Sequence, residues 1–349
     1  MRLALLGVAL ACSSAAAPPS SSELSISCRS GARLSALAWG DPLATRRVLA
    51  LHGWMDNANT WQLLAPALAA GGCRVVALDL PGHGRSPHTH VHGEYSHVEH
   101  AYAAFDALDA LGWLETEAGA KGGANGEGEQ PAVSLLGHSM GGGVCCLLAG
   151  ALPEHVRRLA LVEGFGPLAR PPDAFSAQLR DSLRKRHAAA VGGAAARERT
   201  YASLEQAAAT RVNGAKRLPG KQYMSMGAAL ALAQRGTETV PIGGEGGDEG
   251  GAGGLRFSHD RRLAHPSAQS FHEEQILKVL GSLACQTMLL QAPDGWPRPE
   301  PGFGERVRAM QPGLLTLVDL AAGSHYAHLD EETAGAVQRA IVPFLLEVV

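Results

Sequence analysis

The sequence predicts an α/β fold in which helices cover a mostly parallel, twisted sheet. Short apolar runs alternate along the chain with longer segments of helical periodicity, which is the pattern of a parallel sheet covered by helices. A glycine-flanked serine stands directly between one apolar run and one helical segment, at residues 137–141. The chain has 349 residues, of which 46% are hydrophobic and 18% are charged, so it can bury the core of one large domain.

Six apolar runs are candidate strands, and three longer segments between them are candidate helices. The helical segments carry Ala, Leu and Phe at three- and four-residue spacing. The expected strands are Arg47 to Leu51, Arg74 to Leu78, Ala132 to Leu136, Leu159 to Val162, Thr287 to Gln291 and Leu314 to Asp319. The expected helices are Thr60 to Ala70, Tyr95 to Leu111 and Gly141 to Leu152.

The alternation of elements breaks after Val162. Residues 164–282 carry helical patterns and no strong strand, which indicates a helical cap inserted between two parts of the core, 23–163 and 283–349. Two tracts, Ala118 to Glu129 and Gly243 to Gly254, consist mostly of glycine and acidic residues. Because such a composition does not support a packed core, we expect both tracts to be surface loops.

Residues 1–22 are predicted to be a signal-like or disordered leader. Arg2 precedes an apolar run from Leu3 to Ala11 and a stretch of small residues, which is the layout of a secretory signal. This leader indicates secretory or organelle targeting, and a cytoplasmic location is the alternative. No later stretch has the roughly 20 uninterrupted apolar residues of a membrane span, so no stable membrane insertion is expected.

Composition argues against several other classes of protein. The formal net charge is −3, which offers no electrostatic basis for binding nucleic acid. Apart from Cys12 in the leader, the cysteines have no regular spacing, so a disulfide framework is not expected. Neither a phosphate-binding glycine loop nor a dinucleotide fingerprint appears where a strand and a helix would require it. We therefore expect no cofactor.

The strongest chemical signal is Ser139, in the sequence GHSMG at residues 137–141. A sharp strand-to-helix turn crowds the backbone around the serine, and the flanking glycines relieve the clash and leave the hydroxyl exposed. Ser139 is thus the candidate nucleophile. The backbone N–H of Met140, at the start of the following helix, is a candidate donor to a developing oxyanion.

A serine nucleophile needs a histidine base, and two histidines follow the last expected strand. His325 lies nearer that strand and beside Gly323, so it is the favoured base. His328 is the second candidate. Because it stands just before the point where a helix is expected to begin, it can instead have a structural role such as capping.

Several motifs together make the chain resemble the α/β-hydrolases, and among them the serine hydrolase-like proteins. The motifs are residues 52–57 (HGWMDN), 79–86 (DLPGHGRS), 137–142 (GHSMGG), 234–237 (QRGT) and 256–263 (RFSHDRRL). The resemblance runs from Ala32 to Val349 apart from the two glycine-rich tracts. It implies an α/β-hydrolase fold, a catalytic triad of serine, histidine and an acid, and a helical cap. It also implies that the backbone N–H of Trp54 joins that of Met140 in the oxyanion hole.

The acid of the triad departs from the pattern that the resemblance implies. In most of these proteins the acid follows the penultimate strand, but Gly295 stands near the expected position and Asp294 one residue before it. Glu163 is the alternative, because it ends the strand after the nucleophile helix, where haloalkane dehalogenases can carry their acid. We favour Glu163 over Asp294, and the other residue is then a turn carboxylate that accepts backbone N–H groups.

A serine nucleophile suits acyl chemistry and argues against dehalogenases and epoxide hydrolases, which use a carboxylate nucleophile. The sequence therefore predicts a serine hydrolase that acts on a carboxylic ester or thioester of a small to medium apolar substrate. Two alternatives stay open: a weakly catalytic or non-catalytic ligand-binding protein, and a carbon–carbon bond or lactone hydrolase. The oligomeric state also stays open.

A histidine-rich stretch offers one further interpretation. The alternate spacing of His88, His90 and His92 is compatible with imidazoles on one strand face that bind a metal. No cysteine or carboxylate stands nearby at ligand spacing. We therefore interpret the stretch as a solvated loop and expect no metal site.

Overall fold

The computed structural model describes residues 20–114, 133–191, 199–241, 253–265, 267–299 and 301–347. Within them, eight strands form one sheet and two shorter strands form a separate hairpin. In chain order the strands are β1 (Ser22–Ser27), β2 (Arg33–Trp39), β3 (Arg46–Leu51), β4 (Cys73–Leu78), β5 (Val133–His138), β6 (Val156–Val162), β7 (Thr237–Val240), β8 (Gly254–Phe257), β9 (Gln286–Gln291) and β10 (Leu315–Asp319).

The main sheet has the strand order β1-β2-β4-β3-β5-β6-β9-β10. The strands β1, β2 and β4 pair antiparallel. From β4 to β10 every pair is parallel. The α/β prediction is thus confirmed, and each of the six expected strands is present with its ends shifted by at most three residues.

Helices cover both faces of this sheet and enclose two apolar cores. The helices are α1 (Ala65–Ala70), α2 (His97–Ala110), α3 (Met140–Ala151), α4 (Phe175–Val191), α5 (Leu204–Ala215), α6 (Met226–Gly236), α7 (Glu273–Gly281), α8 (Gly302–Ala309) and α9 (Glu331–Leu346). One core lies under α2, α3, α7 and α8. The other lies under α1 and α9. No helix in the described part of the chain has the length and apolarity that crossing a membrane requires.

Two strands at the N-terminal edge of the sheet were not predicted. In β1, polar and apolar residues alternate and most side chains are exposed, which is the pattern of an edge strand with only one buried side. A search for continuous apolar runs misses a strand with this alternation. The predicted leader therefore ends inside β1, at Ser22, and its residues 1–19 lie outside the described residues.

The segment 164–282, which we call the insertion, contains α4 to α7 and the hairpin of β7 and β8. No strong strand was expected in this segment, and the structure adds these two short ones. Each hairpin strand has only four residues, and the two strands pair antiparallel with each other, so neither produces an apolar run that periodicity detects. The predicted glycine-rich loops, Ala118 to Glu129 and most of Gly243 to Gly254, lie outside the described residues.

A buried ion pair anchors the insertion to the core. The Arg235 side chain, at the end of α6, donates from Nε to both carboxylate oxygens of Asp79, at 3.1 and 2.9 Å. Both side chains are almost fully buried, and Asp79 also accepts the backbone N–H groups of Ala58 and Arg85. The loop 79–86 is thus tied to the insertion through the arginine of the QRGT motif.

The second insertion motif binds the same loop. The Asp260 N–H donates to the Gly82 carbonyl at 2.8 Å, and the Ser258 hydroxyl donates to the Gly84 carbonyl at 2.7 Å. Asp260 also accepts from the Tyr95 hydroxyl at 2.7 Å. Arg235 of the first motif and Ser258 and Asp260 of the second therefore have one physical role in common, which is to hold the insertion against loop 79–86.

We expect Arg235→Met to lower the free energy of unfolding by about 3–5 kcal/mol, because it leaves the buried Asp79 carboxylate without its cation. The matched control is Arg256→Met in β8, whose ion pair with Glu238 is exposed on both sides, so the expected loss there is below about 1 kcal/mol. Urea unfolding followed by circular dichroism measures both. Equal losses in the two variants would contradict the anchoring role of Arg235.

Candidate active site

Ser139 occupies a strained turn between β5 and α3. Its backbone angles, φ 51° and ψ −116°, are unusual for a residue with a side chain. A Cβ added at Gly137 would lie 2.6 Å from the Gly142 Cα, and one added at Gly141 would lie 2.2 Å from the Leu51 carbonyl oxygen. Only glycine fits at these two positions, so the GxSxG pattern is a packing requirement of this turn.

His325 lies in the loop after β10 and points toward Glu163. Its Nδ1 is 3.4 Å from the Glu163 Oε2, and the imidazole is 4% exposed. Burial lowers the pKa of His325 below its ordinary value, although the contact with Glu163 acts in the opposite direction. The histidine is therefore neutral at physiological pH and able to accept a proton.

The Glu163 carboxylate is fully buried at the end of β6. It accepts the backbone N–H groups of Ala292 and Trp296, both at 2.6 Å, and an Arg298 Nη1 donor at 3.2 Å. Burial raises the pKa of Glu163, but the hydrogen bonds from His325 and the two N–H groups outweigh it and hold the pKa below its ordinary value. Glu163 is thus an ionised partner for the imidazole.

Gly295 leaves the space that this carboxylate occupies. A Cβ added at Gly295 would lie 2.2 Å from the Glu163 Oε2. Position 295 is where the resemblance implied an acid, so the carboxylate from β6 fills the place that a side chain from the turn after β9 would take. Asp294 is half-buried, and its backbone N–H donates to the Gly323 carbonyl at 3.1 Å. The structure brings Glu163, and not Asp294, to His325.

The candidate residues meet in one large cavity at the carboxyl edge of the sheet. Its volume is about 1290 Å³, and Ser139, His325 and Glu163 line it together with Trp54 and Met140. Side chains of the insertion form the opposite wall. Parallel strands that end at one edge bring these distant segments together, as is usual for sites of open α/β sheets.

His52 holds the loop that carries Trp54. Its Nε2 accepts the Leu80 N–H at 3.0 Å, so the proton is on Nδ1, which donates to the Gly53 carbonyl at 2.8 Å. Burial lowers the pKa of His52 and favours this neutral form. The backbone of residues 53 and 54 is thereby held beside Ser139, where the oxyanion hole was predicted.

His328, the second histidine candidate, is buried behind the site and does not line the cavity. Its Nε2 lies 2.8 Å from the Thr60 hydroxyl, and its ring packs against Trp61 and His138. Burial holds the pKa of His328 well below its ordinary value. The contacts of His328 are those of a core residue.

The histidine-rich stretch is divided between the surface and the core. His90 and His92 are exposed, and His88 contacts the Ser258 carbonyl at 2.9 Å. His83 and His100 are fully buried. Among the residues that the structure describes, no three His, Cys, Asp or Glu side chains are grouped so that they could hold a metal ion.

Comparison with known proteins agrees with this geometry. A family profile described as alpha/beta hydrolase fold matches residues 46–218. A hypothetical protein of Pseudomonas aeruginosa of known structure is 33% identical, with a TM-score of 0.73, and the match covers 93% of this chain and 98% of that one. The chain belongs to the α/β-hydrolase family. A thioesterase domain from the curacin biosynthetic pathway, 23% identical with a TM-score of 0.69 over 94% of this chain and 99% of that one, shares the fold.

Within this family the chain is similar to proteins named serine hydrolase-like. One from Dictyostelium discoideum is 27% identical over 341 residues, which cover 93% of this chain and 82% of that protein. Another from Danio rerio is 27% identical over 312 residues, which cover 88% of this chain and 83% of that protein. The predicted family resemblance is confirmed.

Sequence reasoning assigned no role to several polar residues of this α/β-hydrolase site. Gln222 of the insertion donates to the Gly295 carbonyl at 2.7 Å and accepts the His325 N–H at 2.9 Å. Arg298 contacts Glu163, and Asp56 and His138 lie next to the triad candidates inside motifs already quoted. In the sequence, Asp56 and His138 are noticeable only as polar residues inside quoted motifs. No feature of the sequence singles out Gln222.

The pKa of His325 distinguishes between the two candidate acids. Glu163→Gln is expected to lower this pKa further, because the Glu163 carboxylate is the group that most raises it. Asp294→Asn removes a carboxylate from the neighbouring turn and is expected to leave it unchanged. An NMR titration of the imidazole nitrogens measures both variants. If the pKa of His325 fell only in Asp294→Asn, then Asp294, and not Glu163, would be the carboxylate that pairs with His325.

Gly295→Ala tests whether the Glu163 carboxylate needs the space beside Gly295. The added methyl group overlaps that carboxylate, so we expect a loss of about 1–3 kcal/mol in the free energy of unfolding. The control is Gly302→Ala in α8, where an added Cβ meets nothing within 4 Å. Urea unfolding compares the two variants, and an unchanged stability of Gly295→Ala would show that the space is free.

Proposed function

We propose that this α/β-hydrolase is a serine hydrolase that cleaves carboxylic esters or thioesters through an acyl-enzyme. The observation that most supports it is the contact of 3.4 Å between His325 Nδ1 and Glu163 Oε2 beside the strained Ser139 turn. A carboxylate on Nδ1 leaves Nε2 of the neutral ring free to act as a base. The three groups line one cavity.

The reaction begins with transfer of the Ser139 hydroxyl proton to His325 Nε2 as Oγ attacks the carbonyl carbon of the substrate. Glu163 stabilises the imidazolium that forms. The backbone N–H groups of Trp54 and Met140 stabilise the oxyanion of the tetrahedral intermediate. Its collapse breaks the bond to the alcohol or thiol, which leaves with the proton from His325.

The second half of the reaction repeats the same transfers with water. His325 takes a proton from water as the hydroxide attacks the acyl carbon, and the proton then returns to Ser139 as the acid is released. A carboxylate nucleophile would instead be needed for dehalogenation or for epoxide opening through an alkyl-enzyme ester. The serine at position 139 therefore favours acyl transfer.

The cavity wall supports an apolar group on the substrate. Side chains from both the core and the insertion contribute apolar surface, among them Phe165, Leu168, Met224, Leu263 and Phe303. The volume of about 1290 Å³ is above the range of about 300–1,000 Å³ that is usual for small-molecule sites. A substrate of small to medium size fits, and the insertion acts as the cap that shields the acyl-enzyme from bulk water.

A related ester hydrolase supports the same class of reaction. Pimeloyl-[acyl-carrier protein] methyl ester esterase of Neisseria meningitidis is 33% identical over 132 residues, which cover 38% of this chain and 34% of that enzyme. Its name describes hydrolysis of a carboxylic methyl ester. We assign this chain to the same reaction class and leave the acyl and alcohol groups of its substrate to a screen.

Covalent labelling by a fluorophosphonate tests the proposal directly. We expect the wild-type chain to gain the mass of one phosphonyl group and Ser139→Ala to gain none, because only an activated serine attacks the probe. Intact-mass spectrometry measures labelling, and circular dichroism checks that the variant is folded. A folded wild type that stays unlabelled and that hydrolyses no p-nitrophenyl ester, thioester or lactone would instead favour a ligand-binding protein.

A further inference from the structure

The loop after β3 connects the insertion to the core through a buried carboxylate. Asp56 is 2% exposed, and its Oδ1 accepts from Arg211 Nη2, on α5 of the insertion, at 2.6 Å. Arg211 Nη1 also donates to the Met55 carbonyl at 2.8 Å. Burial raises the pKa of Asp56, but the nearby His138 and the charge of Arg211 outweigh it and lower the pKa below its ordinary value. The carboxylate is therefore ionised.

The other oxygen of this carboxylate faces the residue before the nucleophile. Asp56 Oδ2 lies 3.4 Å from His138 Nδ1, and the His138 ring is 1% exposed. On its other side His138 Nε2 donates to the His325 carbonyl at 2.9 Å. The two imidazole rings pack with their centroids 4.7 Å apart. A continuous chain of polar contacts thus runs from the insertion to the main chain of the candidate base.

We propose that Arg211, Asp56 and His138 are positioning residues that set the main chain of His325 according to how the insertion is seated. The inference rests on the proposed function, because it assigns His325 the role of base. None of the three residues exchanges a proton with the substrate in this scheme. Their effect is on the geometry of the imidazole relative to Ser139.

Both polar groups of the His325 backbone are held. Its N–H donates to the Gln222 Oε1 at 2.9 Å, and its carbonyl accepts from His138. Gln222 belongs to the insertion, and His138 is linked to it through Asp56 and Arg211. Because a ring turns and shifts with its own backbone, these two contacts fix where His325 Nε2 lies.

Arg211 also orders the predicted oxyanion loop. Met55, whose carbonyl it binds, has φ 59°, a conformation that costs energy for a residue with a side chain. Met55 follows Trp54, the predicted oxyanion donor. Arg211 therefore binds two groups of this loop. One is the Met55 carbonyl, next to the predicted oxyanion donor, and the other is the Asp56 carboxylate, whose second oxygen faces His138.

Other contacts of the same loop hold the insertion without reaching the base. Asn57 Nδ2 donates to the Leu232 carbonyl at 2.8 Å, and Asn59 Nδ2 donates to the Ala231 carbonyl at 2.7 Å. Both acceptors are backbone groups of α6. The loop after β3 therefore combines two residues that attach the insertion, Asn57 and Asn59, with one residue, Asp56, that continues to His325.

The test uses steady-state hydrolysis of p-nitrophenyl butyrate by the full chain. We expect Arg211→Met and Asp56→Asn each to lower kcat by at least about tenfold, toward the roughly 100-fold that a 1 Å misplacement of a reacting group costs. Although Arg211 and Asp56 line the cavity, this ester carries no formal charge that could pair with either, so we expect KM to change by less than about threefold. The control is Lys216→Met, which removes an exposed cation at the end of α5, outside the cavity wall, and is expected to leave kcat unchanged.

A double variant shows whether Arg211 and Asp56 act through one series of contacts or independently of each other. If they act in series, the double variant Arg211→Met with Asp56→Asn is no slower than the slower single variant, because breaking one link already disconnects His325. Multiplicative losses would overturn the proposal. Thermal unfolding identifies any variant that fails to fold, and Arg211→Met keeps the test decisive if Asp56→Asn does not fold.

The pH profile gives a readout that a general loss of structure would not change. His325 is faced by Glu163 from β6, by His138 from β5, by the buried His328 and by Asp56 from the loop after β3. Asp56 raises the pKa of His325, so Asp56→Asn lowers it and moves the acidic limb of kcat/KM to lower pH. If kcat/KM of Asp56→Asn were lower at every pH but its acidic limb stayed at the same pH, the link between Asp56 and His325 would be overturned.

Two outcomes separate failure of this inference from failure of the proposed function. A folded wild-type chain that does not react with a fluorophosphonate and that hydrolyses neither p-nitrophenyl butyrate nor any thioester or lactone overturns the proposed function, and the positioning role with it. A wild type that is active while folded Arg211→Met and Asp56→Asn keep kcat within about twofold overturns the positioning role alone, since a misplaced base would cost more.

Discussion

The buried carboxylate of Glu163 is the point on which the site depends. Without partners, an ionised group at this depth would cost several kcal/mol. Its partners come from two segments: the segment after β9 supplies two backbone N–H groups and the Arg298 cation, and the loop after β10 supplies His325. These segments must converge on one carboxylate for the fold to be stable. The same convergence brings the imidazole to the end of the sheet where Ser139 stands.

Two further buried carboxylates, Asp56 and Asp79, have a similar role for the insertion. Each follows a central strand, β3 or β4, and each binds an arginine of the insertion, Arg211 or Arg235. Buried ion pairs add little net stability compared with apolar packing, but breaking them is costly and their geometry is specific. The insertion is therefore held in one orientation over the sheet edge, and its own small apolar core packs against the loop that carries His325.

Much of the fold was predictable because its signals are local. The six predicted strands are apolar runs, and the flanking helices repeat apolar residues at helical spacing. The strands β1, β2, β7 and β8 were missed. Most residues of β1, β7 and β8 are not buried, and the buried run of β2 has only four consecutive apolar residues, 36–39. The contacts of Gln222 and Arg211 were likewise invisible, because each joins residues more than 70 positions apart.

The sequence by itself determined the strained serine turn and the class of the fold. The glycines that relieve the crowding at Ser139 lie two positions away on either side, so five consecutive residues are enough to specify this turn. Only the tertiary structure shows that Glu163, and not Asp294, lies against His325. Parallel strands β6 and β9 are neighbours in the sheet although far apart in the chain, and the missing side chain at Gly295 leaves room for a carboxylate from the strand beside it.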